Sequence, residues 1–431
     1  MLCFYHSVLI CQAFFIGECA MEKFKESLKN YAGLILERGV NLKKNEYVLI
    51  VAEIVHRELV LELVDSAYRM GASYVNVLYT DERADRTRLD FSSVENLKIV
   101  PESRIAELKS LIEKKGVYIR ITGPEDLEIL KGVDPDKNSA FISSASKKLY
   151  FFSKVAMANK IKWCVAGAAT QGLGEAVFSG READDLKTGL WDEIFRICRI
   201  YEKDTAMAWD KHIKRLKGFA DWLNSIKVKS MHYSGPGTDL TIGIHKDALW
   251  QGGGSETVWG EFFMPNIPTE EVFTAPDYRT VNGKVKSTRP LLFNNILIKD
   301  ITMEFKDGKL VNLSGSKEIR SLEKVLEIDS GARYLGEVAL VEKTSPIYES
   351  GLVFYNTLYD ENAASHIALG AAYPECIVNG ENLDKKAQQA IGFNSSKVHI
   401  DIMIGSPELS VNAELYSGSS EVLMHNGLFN I

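Results

Sequence analysis

The stretch 47–82, "YVLIVAEIVHRELVLELVDSAYRMGASYVNVLYTDE", constrains the fold more than any other part of the chain. An apolar run rich in β-branched residues is followed by an amphipathic segment closed at Gly71, and then by a second apolar run. That order reads as strand, helix, strand, and two strands joined through a helix pair in parallel. The pattern continues. "GVYIRITG" and "KWCVAGAA" are further short apolar strands, separated by the helical segments "ESRIAELKSLIEKKG" and "KLYFFSKVAMANKI". Residues 21–205 are therefore expected to form an α/β domain with a largely parallel sheet.

A charged helical region from Ala183 to Ile226, carrying Trp191, Trp209 and Trp222, is expected to form the junction. Beyond it the texture changes. "GTDLTIGI", "ILIKDITMEFKDGKLVNLSG", "GARYLGEVALV" and "VHIDIMIG" alternate apolar with polar residues and are broken by Gly, Asp and Asn. Residues 206–431 thus read as a strand-rich α+β domain, mostly antiparallel. "NGK" at 282–284 and "KDGK" at 306–309 are expected to be hairpin turns, since Gly accepts the positive φ that such turns need.

With 431 residues, 45% hydrophobic and 25% charged, the chain is long enough for two domains with their own cores. A net charge of −7 gives no support for a nucleic-acid or polybasic membrane surface, so small or peptidic partners are expected. Residues 1–20 are apolar but lack Lys and Arg, and His6, Gln12 and Glu18 interrupt them. They fit neither a secretory signal nor a spanning helix of about 20 residues. A mis-assigned start or a disordered extension is expected there, with translation beginning at Met21. Outside that stretch only Cys164, Cys198 and Cys376 remain, an odd number without CxxC spacing, which reads as buried thiols in a reducing cytoplasm.

There is no HExxH, phosphate-binding Gly loop, paired CxxC or GxSxG elbow. "QGGGSE" and "SGPGTDL" read as turns between strands. The informative residues lie late in the chain. In "VHIDIMIG", His399 and Asp401 are two residues apart on a strand and so share a face; an Asp–His ion pair and a metal site explain them equally well. Glu337 stands at the head of the "GEVALV" strand, and "NIPTEEVFTAPD" puts Glu270 and Glu271 in a Pro-flanked loop. In "DENAASHIALG" a helix beginning near Asn362 would explain the alanines, but Glu361 and His366 are about 140° apart around such a helix. A bend is therefore expected between them, with Glu361 in the approach and His366 within the helix. Several carboxylates with two imidazoles make a hard donor set, better suited to two divalent ions sharing a bridging carboxylate than to one structural zinc.

The runs "MPNIPTEEVFTAPD", "GARYLGEVALV", "NTLYDENAASHIALGAAYP" and "VHIDIMIG" resemble, in content, order and spacing, the aminopeptidase T family of metallopeptidases, which includes the PepS and aminopeptidase II types. The resemblance covers the chain from Met21 and is most specific over 264–405. It implies a two-domain homodimer that removes N-terminal amino acids from peptides with a free N-terminus, using two divalent ions (zinc, cobalt or manganese) per chain; the cytoplasmic location follows from the cysteines. It further implies Glu271, Glu337, Glu361, His366, His399 and Asp401 as metal ligands. Glu337 is the bridging carboxylate and proton acceptor, and Tyr373 lies beside the metals to hydrogen-bond the oxyanion. Glu270 beside Glu271, and Asp360 beside Glu361, are ambiguities the letters leave open.

Two other readings compete. A ring-cleaving dioxygenase of dihydroxypyridines resembles the same C-terminal fold, with one Fe(II) on about three ligands. A non-catalytic binding module would use the same acids and histidines only as paired charges.

Overall fold

The computed structural model describes residues 21–180, 185–293 and 296–430. The expectation for residues 1–20 lies outside them. The strands Tyr74–Thr80, Tyr47–Glu53, Val117–Thr122 and Lys162–Gly167 stand side by side in one sheet, every neighbouring pair parallel. The helix Arg57–Arg69 makes the first crossover and buries Leu59, Val60, Leu63 and Ala67, the stripe its periodicity predicts. The helices Glu102–Glu113 and Pro135–Met157 carry the chain between the later strands.

The sheet has a fifth strand that its local sequence does not announce. Asn266–Ile267, from the second half of the chain, pairs in parallel with the Lys162–Gly167 strand. The same core takes in Met264, Leu358, Tyr359 and Ala363, so the two halves are packed together beside the segments that carry the candidate site residues. The helices Leu186–Ile197 and Thr205–Ile226 fill the junction region, with Trp191 and Trp209 buried and Trp222 half-buried.

The second half contains an eight-stranded antiparallel sheet and a five-stranded one. Their facing side chains make a second core, with Met231, Tyr233 and Leu240 from the larger sheet and Val272, Val338, Leu340, Ile367 and Ile402 from the smaller. "KDGK" is the expected hairpin, Asp307 and Gly308 both taking positive φ between the strands Thr302–Lys306 and Lys309–Ser314. "NGK" is not a turn. It lies inside the strand Asn282–Lys286, where a Cβ on Gly283 would meet the Asp239 carbonyl oxygen at 2.2 Å, so the glycine permits a close approach of backbones instead. Cys164, Cys198 and Cys376 are buried free thiols, as expected. Among the described residues no helix is long and apolar enough to cross a membrane.

Candidate metal centre

The five-stranded sheet runs in the order His399–Met403, His366–Gly370, Leu335–Val341, Glu271–Thr274, Gln251–Gly252, each neighbouring pair antiparallel. Side chains alternate along a strand, and here the alternation sorts chemistry from packing. Val272, Val338, Leu340, Ile367, Leu369, Ile400 and Ile402 turn into the core. Glu271, Glu337, His366, His399 and Asp401 therefore share the opposite face. Their cross-strand neighbours are small: Ala339 pairs with His366, Ala368 with both Glu337 and Asp401, and Gly370 with His399. Polar side chains can converge over these residues without steric conflict.

One irregularity aims the central carboxylate. The register between the Leu335–Val341 and His366–Gly370 strands shifts between Leu335 and Glu337. A Cβ on Gly336 would lie 2.3 and 2.4 Å from the carbonyl oxygens of Ala371 and Gly370, so only glycine allows this bulge.

Glu337 sits between the two imidazoles. Its Oε1 is 3.5 Å from His366 Nε2 and its Oε2 is 3.4 Å from His399 Nε2. Glu271 Oε2 is 3.0 Å from His366 Nε2, and Asp401 Oδ1 is 3.2 Å from His399 Nε2. Two triplets result, Glu271–Glu337–His366 and Glu337–His399–Asp401, each able to bring one ligand atom per residue within 4.8 Å of the others. Both rings commit Nδ1 to a main-chain carbonyl, His366 to Ala364 at 3.1 Å and His399 to Ala371 at 2.7 Å. That hydrogen bond fixes the tautomer and leaves Nε2 facing the carboxylates, as a metal-ligating histidine requires.

The electrostatics call for cations. Burial drives both rings toward the neutral form, yet the facing carboxylates outweigh it. His399 is raised to about 9 by Asp401 and Glu337, and His366 well above the ordinary imidazole value by Glu271 and Glu337. Glu361 is pushed far above the carboxylate range, first by burial and then by Asp401 and Glu271. With His366 neutral and its proton on Nδ1, Glu271 Oε2 is buried without a hydrogen-bond donor among the described residues. Four carboxylates with neutral imidazoles balance the charge of two divalent ions, whereas protonating both rings leaves negative charge uncompensated in a buried space. The donor set thus fits two hard or borderline divalent ions.

The structure turns the two acids of each adjacent pair in different directions. Glu270 turns away to Arg199 at 2.7 Å and His212 at 3.5 Å, while Glu271 faces His366. Asp360 is taken up by Arg289 at 3.1 Å and by the N–H groups of Phe354 and Asn356. Glu361 lines the cavity with the other candidate ligands and accepts from Asn266 Nδ2 at 3.2 Å and Asn362 Nδ2 at 3.4 Å. The expected helix from Asn362 through His366 is not present. The helix is Thr357–Glu361, capped by Asn356, and His366 opens a strand after a four-residue turn. The bend is real, but it separates a helix end from a strand start, because His366 is held in register by Ala339 and Met403.

These side chains line a cavity of about 60 Å³ together with Trp163, Gly253, Gly254, Ser255, Thr269, Tyr373 and Glu375. Tyr373 packs edge-on against His399, ring centroids 5.0 Å apart, and burial followed by Glu337 and Asp401 raises its hydroxyl well above the ordinary value, so it remains a donor. The glycines of "QGGGSE" do form a turn, but one that also lines the site. Asn266, Asn362 and Glu375 were not foreseen. Asn362 adjoins a candidate ligand in sequence, whereas Asn266 and Glu375 carry no spacing signal that would single them out.

Comparison with known proteins places the chain in a family. The sequence matches the family described as thermophilic metalloprotease (M29) over residues 24–429. It is 37% identical over 408 residues to "Aminopeptidase PepS" of Streptococcus thermophilus, covering 94% of this chain and 98% of that protein. It is 36% identical to "Aminopeptidase T" of Thermus thermophilus, covering 94% and 99%. The solved structure "Wild-type AmpT from Thermus thermophilus" superposes with a TM-score of 0.87 at 35% identity, covering 95% of this chain and all of that one. These matches define a metalloprotease. More particularly, the chain belongs to the M29 family, whose matched relatives carry aminopeptidase names; none of those named here is an oxygenase.

Proposed function

We propose that this chain is a metal-dependent aminopeptidase whose site holds two divalent ions, one within Glu271, Glu337 and His366 and the other within Glu337, His399 and Asp401. In this reading Glu361 completes the shell from the helix end. The observation that carries it is the placement of Glu337, which offers a different oxygen to each imidazole. Ions bound there would polarise the scissile carbonyl and acidify the attacking water. The chain's own residues do the rest. Glu337, set against the attacking water, accepts its proton and passes it toward the leaving amine. Asn266 and Asn362 hold Glu361 in place, and Tyr373 donates to the oxyanion. His399 also borders a cleft of about 1040 Å³ between the helix Pro135–Met157 and residues 397–400, which gives room for the remainder of a peptide.

Metal analysis after chelation and re-addition, run beside hydrolysis of a panel of aminoacyl-nitroanilides, tests the reading. Two zinc, cobalt or manganese ions per chain with hydrolysis are expected; one iron per chain without hydrolysis would overturn it. The homodimer implied by the resemblance and the reducing cytoplasm read from the cysteines belong to the same proposal, and light scattering checks the first. Tyr373→Phe is expected to lower kcat by about 10²-fold, the scale of losing one oxyanion donor, with ion content unchanged.

A further inference from the structure

Two ions and a water account for amide cleavage, but not for restriction to the first residue of a peptide. That restriction needs a group that reads a free α-amine. Glu375, on the short turn Pro374–Cys376, lines the same cavity as the candidate ligands yet belongs to neither triplet. Its carboxylate is fixed from two sides. Asn159 Nδ2 donates to Oε2 at 2.5 Å, and Ser255 Oγ donates to Oε1 at 3.1 Å. Gln251 Nε2 holds its main-chain carbonyl at 2.7 Å.

Three separate parts of the chain thus converge on one carboxylate: Asn159, just past the C-cap of the helix Pro135–Met157, the glycine turn at 253–254 with its neighbours, and the 374–376 turn. Both side-chain donors are neutral. Among the described residues no Lys, Arg or His pairs with Glu375, and the charged neighbour that acts on it is Glu337, of the same sign. Burial, followed by Glu337, raises this carboxyl to about 7, and a cation arriving from outside is what would hold it ionised. The one cation that every aminopeptidase substrate shares is its α-ammonium group.

We propose that Glu375, oriented by Asn159 and Ser255, receives the protonated α-amine of the substrate and so confines cleavage to the N-terminal residue, an inference that rests on the cavity being the peptidase site. An ammonium ion matches the position because it brings donors and one positive charge to a carboxylate that keeps a lone pair free on each oxygen. Glu375 then acts by binding: its loss should appear chiefly in KM and in amine selectivity, leaving the ions in place.

The test compares the metal-loaded wild type with Glu375→Gln and Glu375→Asp. Binding of leucine and of its amine-free analogue 4-methylpentanoate is measured by calorimetry, and ion content and KM for leucyl-nitroanilide are read on the same samples. The wild type should prefer leucine. Glu375→Gln should bring that preference down by about 10-fold or more, the scale of a charge-assisted hydrogen bond, with KM raised and both ions retained. Glu375→Asp, which keeps the charge, should restore part of the preference. An undiminished preference in Glu375→Gln at full ion content would overturn the proposal and leave the peptidase reading standing. A wild type that holds no ions and shows no preference would overturn both.

Discussion

Replacing Glu337 with Gln is expected to drop the ion content below two per chain and to lower aminopeptidase turnover by at least on the order of 10²–10³-fold, the scale of removing one preorganised electrostatic group. The two carboxylate oxygens face different imidazoles at nearly equal distances, 3.5 and 3.4 Å. Gln keeps the shape but turns one of those acceptors into an N–H donor, aimed where an ion should sit. A change at Asp401 or Glu271 removes a ligand from one triplet, whereas this change weakens both. Elemental analysis of the purified variant, with circular dichroism to show an intact fold, checks the outcome. Full ion content and unchanged turnover would remove Glu337 from the bridging role.

Much of this site was legible because a strand repeats every two residues. In "VHIDI" and "GEVAL" the large aliphatic residues alternate with small or ionisable ones, and that alternation puts His399, Asp401 and Glu337 on the side away from the core, whereas His366 reads as part of a helix until its strand partners are seen. The parallel sheet was legible for a similar reason, except for Asn266–Ile267. Two residues carry no periodicity, and their pairing with the Lys162–Gly167 strand is a tertiary event. The misfit between Glu361 and His366 on a single helix was a correct signal with the wrong geometry attached. A helix that ends at Glu361 and a strand that begins at His366 both fit the run of alanines, and only cross-strand pairing chooses between the alternatives. Contacts made by residues far apart in the chain, such as Asn159 and Ser255 on Glu375, leave no trace in local sequence.

Glu270 and Glu271 are the sharpest case, since adjacent residues of one type should fail in opposite ways. Glu270→Ala is expected to destabilise the fold by about 3–5 kcal/mol, the cost of leaving a buried ion-pair partner alone. The stranded group is Arg199, whose guanidinium lies 2.7 Å from the Glu270 carboxylate and over the Trp209 ring. His212 ties the same network to the loop, donating from Nε2 to the Thr269 carbonyl at 2.8 Å while Nδ1 accepts from Arg199. Arg199 and His212 thus position the loop that delivers Glu271, and the Glu270 N–H fastens it to Asn362 at 2.7 Å. Glu271→Ala leaves that network intact, removes a like charge from beside Glu337 and Glu361, and leaves His366 with Glu337 at 3.5 Å as its partner. The ion-free protein should keep its stability or gain some, while the triplet around His366 loses an ion and hydrolysis falls with it. Urea unfolding of the ion-free variants, paired with metal analysis after re-addition, separates the two effects. The reverse pattern, a destabilised Glu271→Ala and an ion-deficient Glu270→Ala, would transfer the ligand role to Glu270. It would also require the strand Glu271–Thr274 to slip by one residue, which would bring Val272 out of the core and onto the face that carries the acids and histidines.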